Sequence, residues 1–170
     1  MAHYDNKHIV DADIARSAGS SVHPVSKSSR ELLEELMQGD NEVYFCRKLL
    51  QEWSKHNSVI AKTWLSSMVS RKKAKITKDD HLALSKQIQI NIQDEKTKSI
   101  TTKDSHLIES AKKNGCIIYS NDNTARAAFS SIKKEISCIK EILWICPVDK
   151  IEEIKEEVLK KRMINKDHYI

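Results

Sequence analysis

Glycine and proline are scarce here, at three and two among 170 residues. Few turns can therefore rely on a positive φ or a fixed proline ring, and helix is favoured over a hairpin-rich β fold. Aromatic side chains make up only 5%, which speaks against a platform of exposed rings for stacking single-stranded bases. The four cysteines, Cys46, Cys116, Cys138 and Cys146, form no CxxC pair. Three of them lie inside apolar runs, where a thiol acts as a small hydrophobe. Seven histidines are present, none at zinc spacing beside an acid. There is no glycine-rich phosphate loop and no GxSxG elbow. No apolar run approaches the ~20 residues that span a bilayer, and MAHYDNKHIV is too polar to read as a secretory leader. These absences predict a soluble, cytoplasmic chain with no membrane partner.

What is present describes a globular α/β protein. The chain is 39% hydrophobic and 31% charged, and 29 basic against 24 acidic side chains leave a formal charge of +5. Such a balance suits a polyanion partner. The basic run Arg71 to Lys75, RKKAK, is its candidate contact, and affinity for RNA should then fall with salt.

Apolar runs read as strands at HIVDADI (8–14), VYFC (43–46), CIIYS (116–120) and ILWICPV (142–148). Between them lie helical patterns. One begins at a capping-box signature, Ser28 with Glu31. Another is RKLLQEWSKH, with Leu49, Leu50 and Trp53 on one face. Ile60, Trp64, Leu65 and Met68 continue at helical spacing. The stretch TKDDHLALSKQIQINIQDEK fits strand or helix by period, and its length without Gly or Pro favours helix. TTKDSHLIESAKKNG reads as a helix stopped by Gly115, and NTARAAFSSIKKEI as another. Strands alternating with helices predict a three-layer α/β/α sandwich on a mainly parallel sheet. The expected division is one domain over 1–148, with a charged C-terminal helix over 149–170 packed on it or extending from it.

In parallel sheets of this kind, sites form beyond the carboxyl ends of the strands. Four acids are sent there. Asp11 ends the first apolar run. Glu52 follows the second strand by one helical turn. Asp122 directly follows CIIYS. Asp104, at the expected start of its helix, arrives if that helix begins near the same edge. Each has an ordinary alternative: Asp104 and Asp122 as helix caps, Glu52 as a solvated helix residue. Asp11 fits such a role less well, because a charge inside an apolar run needs partners. Carboxylates gathered at one edge form a hard-cation site, for Mg²⁺ or Mn²⁺, which suits phosphodiester hydrolysis. Asp13 reads equally as an outer acid of that site or as a solvated neighbour. His106, two residues after Asp104, has two readings, a place near the site or a solvated helix residue, and the second is favoured. Arg16, Lys103 and Arg126 flank the acids and are candidate phosphate contacts, with surface solvation as the alternative for each.

The order strand-Asp, helix-Glu, helix-Asp, strand-Ser-Asn-Asp resembles the PIN domain, a metal-dependent ribonuclease fold related to flap and 5′ nucleases. IVDADI carries the likeness at Asp11, LLQEW at Glu52, and KDSHLIESAKKNGCIIYSND at Asp104 and Asp122. Ala12 and Asp13 stand where the family often has Thr-Asn. The resemblance implies an endoribonuclease whose Asp11, Glu52, Asp104 and Asp122 hold one or two Mg²⁺ or Mn²⁺ ions. Ser120 and Asn121 would shape the strand-to-helix turn or touch phosphate. Single domains of this size are similar to toxins of bacterial toxin–antitoxin pairs, so an antitoxin protein and a homodimer are further expectations. Two alternatives remain beside it. DAD resembles the DxD of haloacid-dehalogenase-like phosphatases, although Ile14 fits that pattern poorly and Glu52 would have no role in it. A catalytically inactive PIN fold that binds RNA or protein is the other.

Overall fold

The computed structural model describes residues 2–170. The four apolar runs supply four short parallel strands, β2 (Lys7–Val10), β3 (Glu42–Phe45), β5 (Ile117–Tyr119) and β6 (Leu143–Ile145), and a fifth, β4 (Ala74–Ile76), forms where no strand was expected, from the end of the basic run. A further strand, β1 (Ala2–His3), lies outside this sheet and pairs antiparallel with β7 (Met163–Ile164). The sheet order is β4-β3-β2-β5-β6, all parallel. The helices are α1 (Ala12–Ser17), α2 (Pro24–Met37), α3 (Arg47–His56), α4 (Val59–Ser70), α5 (Ala83–Asn91), α6 (Glu95–Asn114), α7 (Asn123–Ser131) and α8 (Pro147–Glu153). Helices α1, α2 and α4 pack together, as do α5, α6 and α7. With the sheet between, this is the three-layer α/β/α sandwich on an all-parallel sheet.

The strand order matters for function. The chain builds outward from β2 through β3 to β4, then returns to place β5 on the other side of β2. The reversal lies between β2 and β5, and loops leaving their carboxyl ends diverge and open a crevice there. Strand β5, IIY, is buried at every position, as expected of a strand covered on both faces.

Several expected boundaries move. The first strand ends at Val10, and ADI begins α1, because the Asp11 side chain accepts from the Ala12 amide at 2.7 Å and caps that helix. Helix α2 starts at Pro24 rather than at Ser28. Proline at the first helical position needs no amide partner, and the Ser28 hydroxyl instead donates to the carbonyl of Val25. Helix α6 starts nine residues before Asp104, at Glu95, capped by Asp94. Gly115 ends it with φ 69°, as expected. The tail is not one helix over 149–170. Helical turns continue to Leu159, the last of them widened from Ile154 onward. Arg162 then takes a left-handed φ of 55° and binds Asp40, which releases Met163–Ile164 to pair with β1. That pairing joins the two ends of the chain, and local periodicity carries no record of it.

The basic run 71–75 is also reassigned in part. Lys73 donates to the carbonyls of Met37 and Gly39, at 2.7 and 2.5 Å, and Lys75 pairs with Glu42 at 3.2 Å. The run leads into the start of β4, at the sheet edge opposite the carboxylates. Lys73 ties down the end of α2 and Lys75 holds Glu42, while Arg71 and Lys72 stay exposed.

A buried polar triad spans the middle of the sheet. Asn41 donates to the carbonyl of Gln38, which leaves its Oδ1 to accept from His8 Nε2 at 3.1 Å. His8 Nδ1 then accepts from the Tyr119 hydroxyl at 3.2 Å. This satisfies a neutral imidazole, and burial holds the His8 pKa down at about 4. The unfolded chain binds that proton more readily, so the stability contributed by neutral His8 is present above pH 6.5 and is lost as pH falls toward 4. With each tenfold difference in proton affinity amounting to about 1.4 kcal/mol, the loss is on the order of 3 kcal/mol. Urea unfolding at pH 6.5 and pH 4 should show His8→Gln losing that much less stability than the parent; equal losses would contradict the assignment.

Candidate functional site

A cleft of about 390 Å³ opens at the topological reversal, and all four sequence-selected acids line it: Asp11, Glu52, Asp104 and Asp122. Four different elements deliver them. Asp11 follows β2 and caps α1. Asp122 follows β5 and caps α7, its Oδ1 accepting from the Ala125 amide at 2.8 Å. The ordinary reading of Asp122 as a cap is therefore correct, and it faces the cleft as well. Asp104 is no cap. It projects from the middle of α6, so the carboxylate arrives from the flank of a long helix rather than from its start. Glu52 projects from α3, which touches α1 on one side and α6 on the other. The Trp53 indole donates to the carbonyl of Val10 at 2.9 Å, fixing the helix of Glu52 against the strand that ends in Asp11.

Ser120 organises the floor. It is fully buried, its hydroxyl donates to Asp11 Oδ2 at 2.8 Å, and it accepts from the Asp122 amide at 3.1 Å. Asp13 joins from α1: its Oδ2 accepts from the Asn121 amide at 2.9 Å. Of its two readings, the structure supports the one that places it at the site. The Asn121 side chain accepts from the Val148 amide at 3.1 Å and the Cys146 thiol at 3.5 Å. Ser120 and Asn121 thus shape the strand-to-helix turn, and a fully buried Ser120 is not available to touch phosphate. Arg126 also leaves the list of phosphate contacts, because its guanidinium donates to the carbonyls of Trp144, Asp167 and Tyr169 and anchors the tail. Arg16 and Lys103 do line the cleft.

One residue at the site was not anticipated, and another was weighed only as the less favoured of two readings. His56, one turn beyond Glu52 on α3, lines the cleft. His106, read from sequence as solvated, is only 1% exposed, with Nε2 at 3.2 Å from Glu52 Oε2. The sequence carried no signal for that burial: Thr101, Asp104, Ser105 and Ile108 recur at helical spacing, but that stripe lies on a different face of the helix from His106.

The electrostatics are those of crowded acids. Burial, with the neighbouring Asp11 charge, pushes the Asp13 carboxyl up to about 7. Burial and the same neighbour, with Asp122 further out, push Asp104 up to about 6. Asp11 is raised by burial, against the hydrogen bonds from Ser120 and Ala12. Glu52 moves down: burial raises it, but the hydrogen bond from His106 and the positive charges around it, Lys48 and Lys103 among them, outweigh that.

The acids offer only oxygen donors, which fit Mg²⁺ or Mn²⁺, with the His56 imidazole as the one nitrogen ligand type among the described residues of the cleft wall. Asp13 Oδ1 is buried with no hydrogen-bond partner, and a carboxylate oxygen without a donor is one that a cation satisfies. Among the described residues, however, no three His, Cys, Asp or Glu side chains stand close enough to close on an ion. The cleft therefore suits an ion that takes one or two carboxylates directly and completes its shell with water, as Mg²⁺ does. Among the described residues no helix is long and apolar enough to cross a membrane.

Compared with known proteins, the chain matches no protein-family model and no curated protein.

Ionising Asp13 in this setting opposes folding. Its raised pKa means the native state binds that proton more tightly than the unfolded chain, so the penalty is present above pH 7 and disappears as pH falls toward 4. Asp13→Asn keeps an acceptor for the Asn121 amide. In EDTA at pH 8 it should melt a few degrees above the parent, the shift expected of about 1 kcal/mol, and the gap should narrow with falling pH and close near pH 4. A variant that melts lower at pH 8 would show that the charge is not a burden.

Proposed function

We propose that this protein is a divalent-metal-dependent endoribonuclease of the PIN-like type, hydrolysing RNA phosphodiester bonds. One observation carries the reading: acids from four separate elements, Asp11, Glu52, Asp104 and Asp122, line a single cleft at the reversal point of a parallel sheet. Caps alone do not require that arrangement, since Asp104 caps nothing. The charge balance of +5 suits a polyanionic substrate. A single short domain of this kind is similar to the toxins of toxin–antitoxin pairs, and by that analogy an antitoxin partner is part of the same proposal.

In this reading Asp11 and Asp104 are the direct ligands: both line the cleft, and burial and then the Asp11 charge are the largest causes of the raised Asp104 pKa. Glu52 and Asp122 act from the walls, directly or through water. The bound ion supplies Lewis acidity toward the phosphodiester and toward water. The chain supplies the rest. Ser120 holds one Asp11 oxygen. Asp122 keeps its backbone fixed through its cap, so its second oxygen is held at the cleft wall. Arg16 and Lys103 place positive charge on the walls of an otherwise acidic cleft, where they would draw phosphate toward the carboxylates.

The test is cleavage of single-stranded RNA with Mg²⁺ or Mn²⁺, with EDTA, and with Asp104→Asn. Cleavage should require the metal and stop with chelator. Asp104→Asn should lower it by at least roughly 100-fold, the upper end of what outer partners of a metal site cost, and p-nitrophenyl phosphate should remain intact. Cleavage that survives EDTA would refute the mechanism, and turnover of the small phosphate ester would favour the phosphatase alternative.

A further inference from the structure

Helix α6 brings a second side chain to the site besides Asp104, and nothing in the nuclease reading assigns it a role. His106 is 1% exposed. Its Nε2 lies 3.2 Å from Glu52 Oε2, while its Nδ1 is buried with no hydrogen-bond partner. A buried N–H left without an acceptor is costlier than a bare ring nitrogen, because the latter forfeits only a weak acceptor. The proton therefore sits on Nε2 and is donated to Glu52. The ring is enclosed by the protein and does not line the cleft, so it cannot meet substrate.

We infer that His106 is a positioning residue: it binds one oxygen of Glu52 and so fixes that carboxylate at the cleft wall with its other oxygen left for a cation. The inference rests on the metal reading of the cleft. Among the described residues, Glu52 has no cap or backbone amide to hold it, unlike three of the other acids. Asp11 and Asp122 are held by their caps and Asp13 by the Asn121 amide. Glu52 has the longest of these side chains, and restraining its three side-chain torsions carries an entropic cost. His106 and Asp104 are two residues apart on one rigid helix, so the same element sets one carboxylate directly and another through a hydrogen bond. Carboxylates that ligate metals are commonly held in this way by a neighbour.

The test is Mn²⁺ binding measured by calorimetry without RNA, together with melting in EDTA to establish that each variant folds. His106→Leu fills the volume without a donor and should weaken Mn²⁺ binding by roughly 10- to 100-fold. His106→Gln places an amide N–H near the former Nε2 and should restore most of the affinity. His106→Asn, similar in polarity but one methylene shorter, should not. In a Glu52→Gln background the His106 substitutions should produce no further change. If the parent binds Mn²⁺ and His106→Leu binds it equally well, the positioning role is wrong and the metal site stands. If His106→Leu fails to fold, equal affinity of the Gln and Asn variants would overturn the role by itself. A parent that binds no Mn²⁺ would overturn the metal reading, and the role of His106 with it.

Discussion

Carboxylates are buried together at one end of the sheet, and the cost of that burial, with their mutual repulsion, is the constraint around which this molecule is arranged. Asp11, Asp13 and Asp104 each hold their protons more tightly than a solvated carboxyl does, because burial and the neighbouring acids disfavour the charged form. A fold that served stability alone would put apolar groups there. Instead the surroundings are built to keep the acids in place. Ser120 donates to Asp11, backbone amides of Ala12, Asn121 and Ala125 meet three of the carboxylates, and His106 meets a fourth. Local rules are commonly violated at functional sites and compensated elsewhere, and here the compensation can be traced bond by bond.

The compensation begins in the core. Trp53 is fully buried, stacks edge-on against Phe45 with ring centroids 5.2 Å apart, and donates to the carbonyl of Val10. That one side chain links β3, α3 and the end of β2. Because Glu52 precedes Trp53 and Asp11 follows Val10, the position of two acids depends on a packing contact neither of them makes. On the other side, α6 is long enough to carry Asp104 and His106 past β2 while Gly115 turns the chain into β5. The site is thus carried by rigid elements with short connections, the arrangement best able to hold a geometry against repulsion.

The alternation of strands and helices and the order of the four acids were legible in the sequence because both are local patterns. IIY and LWI announce buried strands, and SND after a strand announces a carboxylate at its end. What escaped was set by contacts distant in sequence. The true start of α2 rested on one proline, while the misleading Ser28–Glu31 signature looked like a cap. The tail strand depends on pairing with residues 2–3, which no periodicity in 149–170 records. Within the basic run, Lys73 and Lys75 looked like surface contacts until they met the end of α2 and Glu42. His106 was hidden because a polar residue on a helix is ordinarily solvated, and its partner Glu52 lies 54 positions away in sequence. Asp122 shows the converse: the cap and the site were weighed as alternatives, and one aspartate serves both.

The central claim is that this cleft holds a hard divalent cation for phosphodiester chemistry. Its most direct test is a crystal of the protein soaked in Mn²⁺, with the ion located by its anomalous scattering. The account predicts a peak inside the cleft, within coordination distance of an Asp11 or Asp104 oxygen, its remaining ligands water or the other acids. A clear map with no peak there, or a peak only at surface carboxylates away from the sheet reversal, would contradict it.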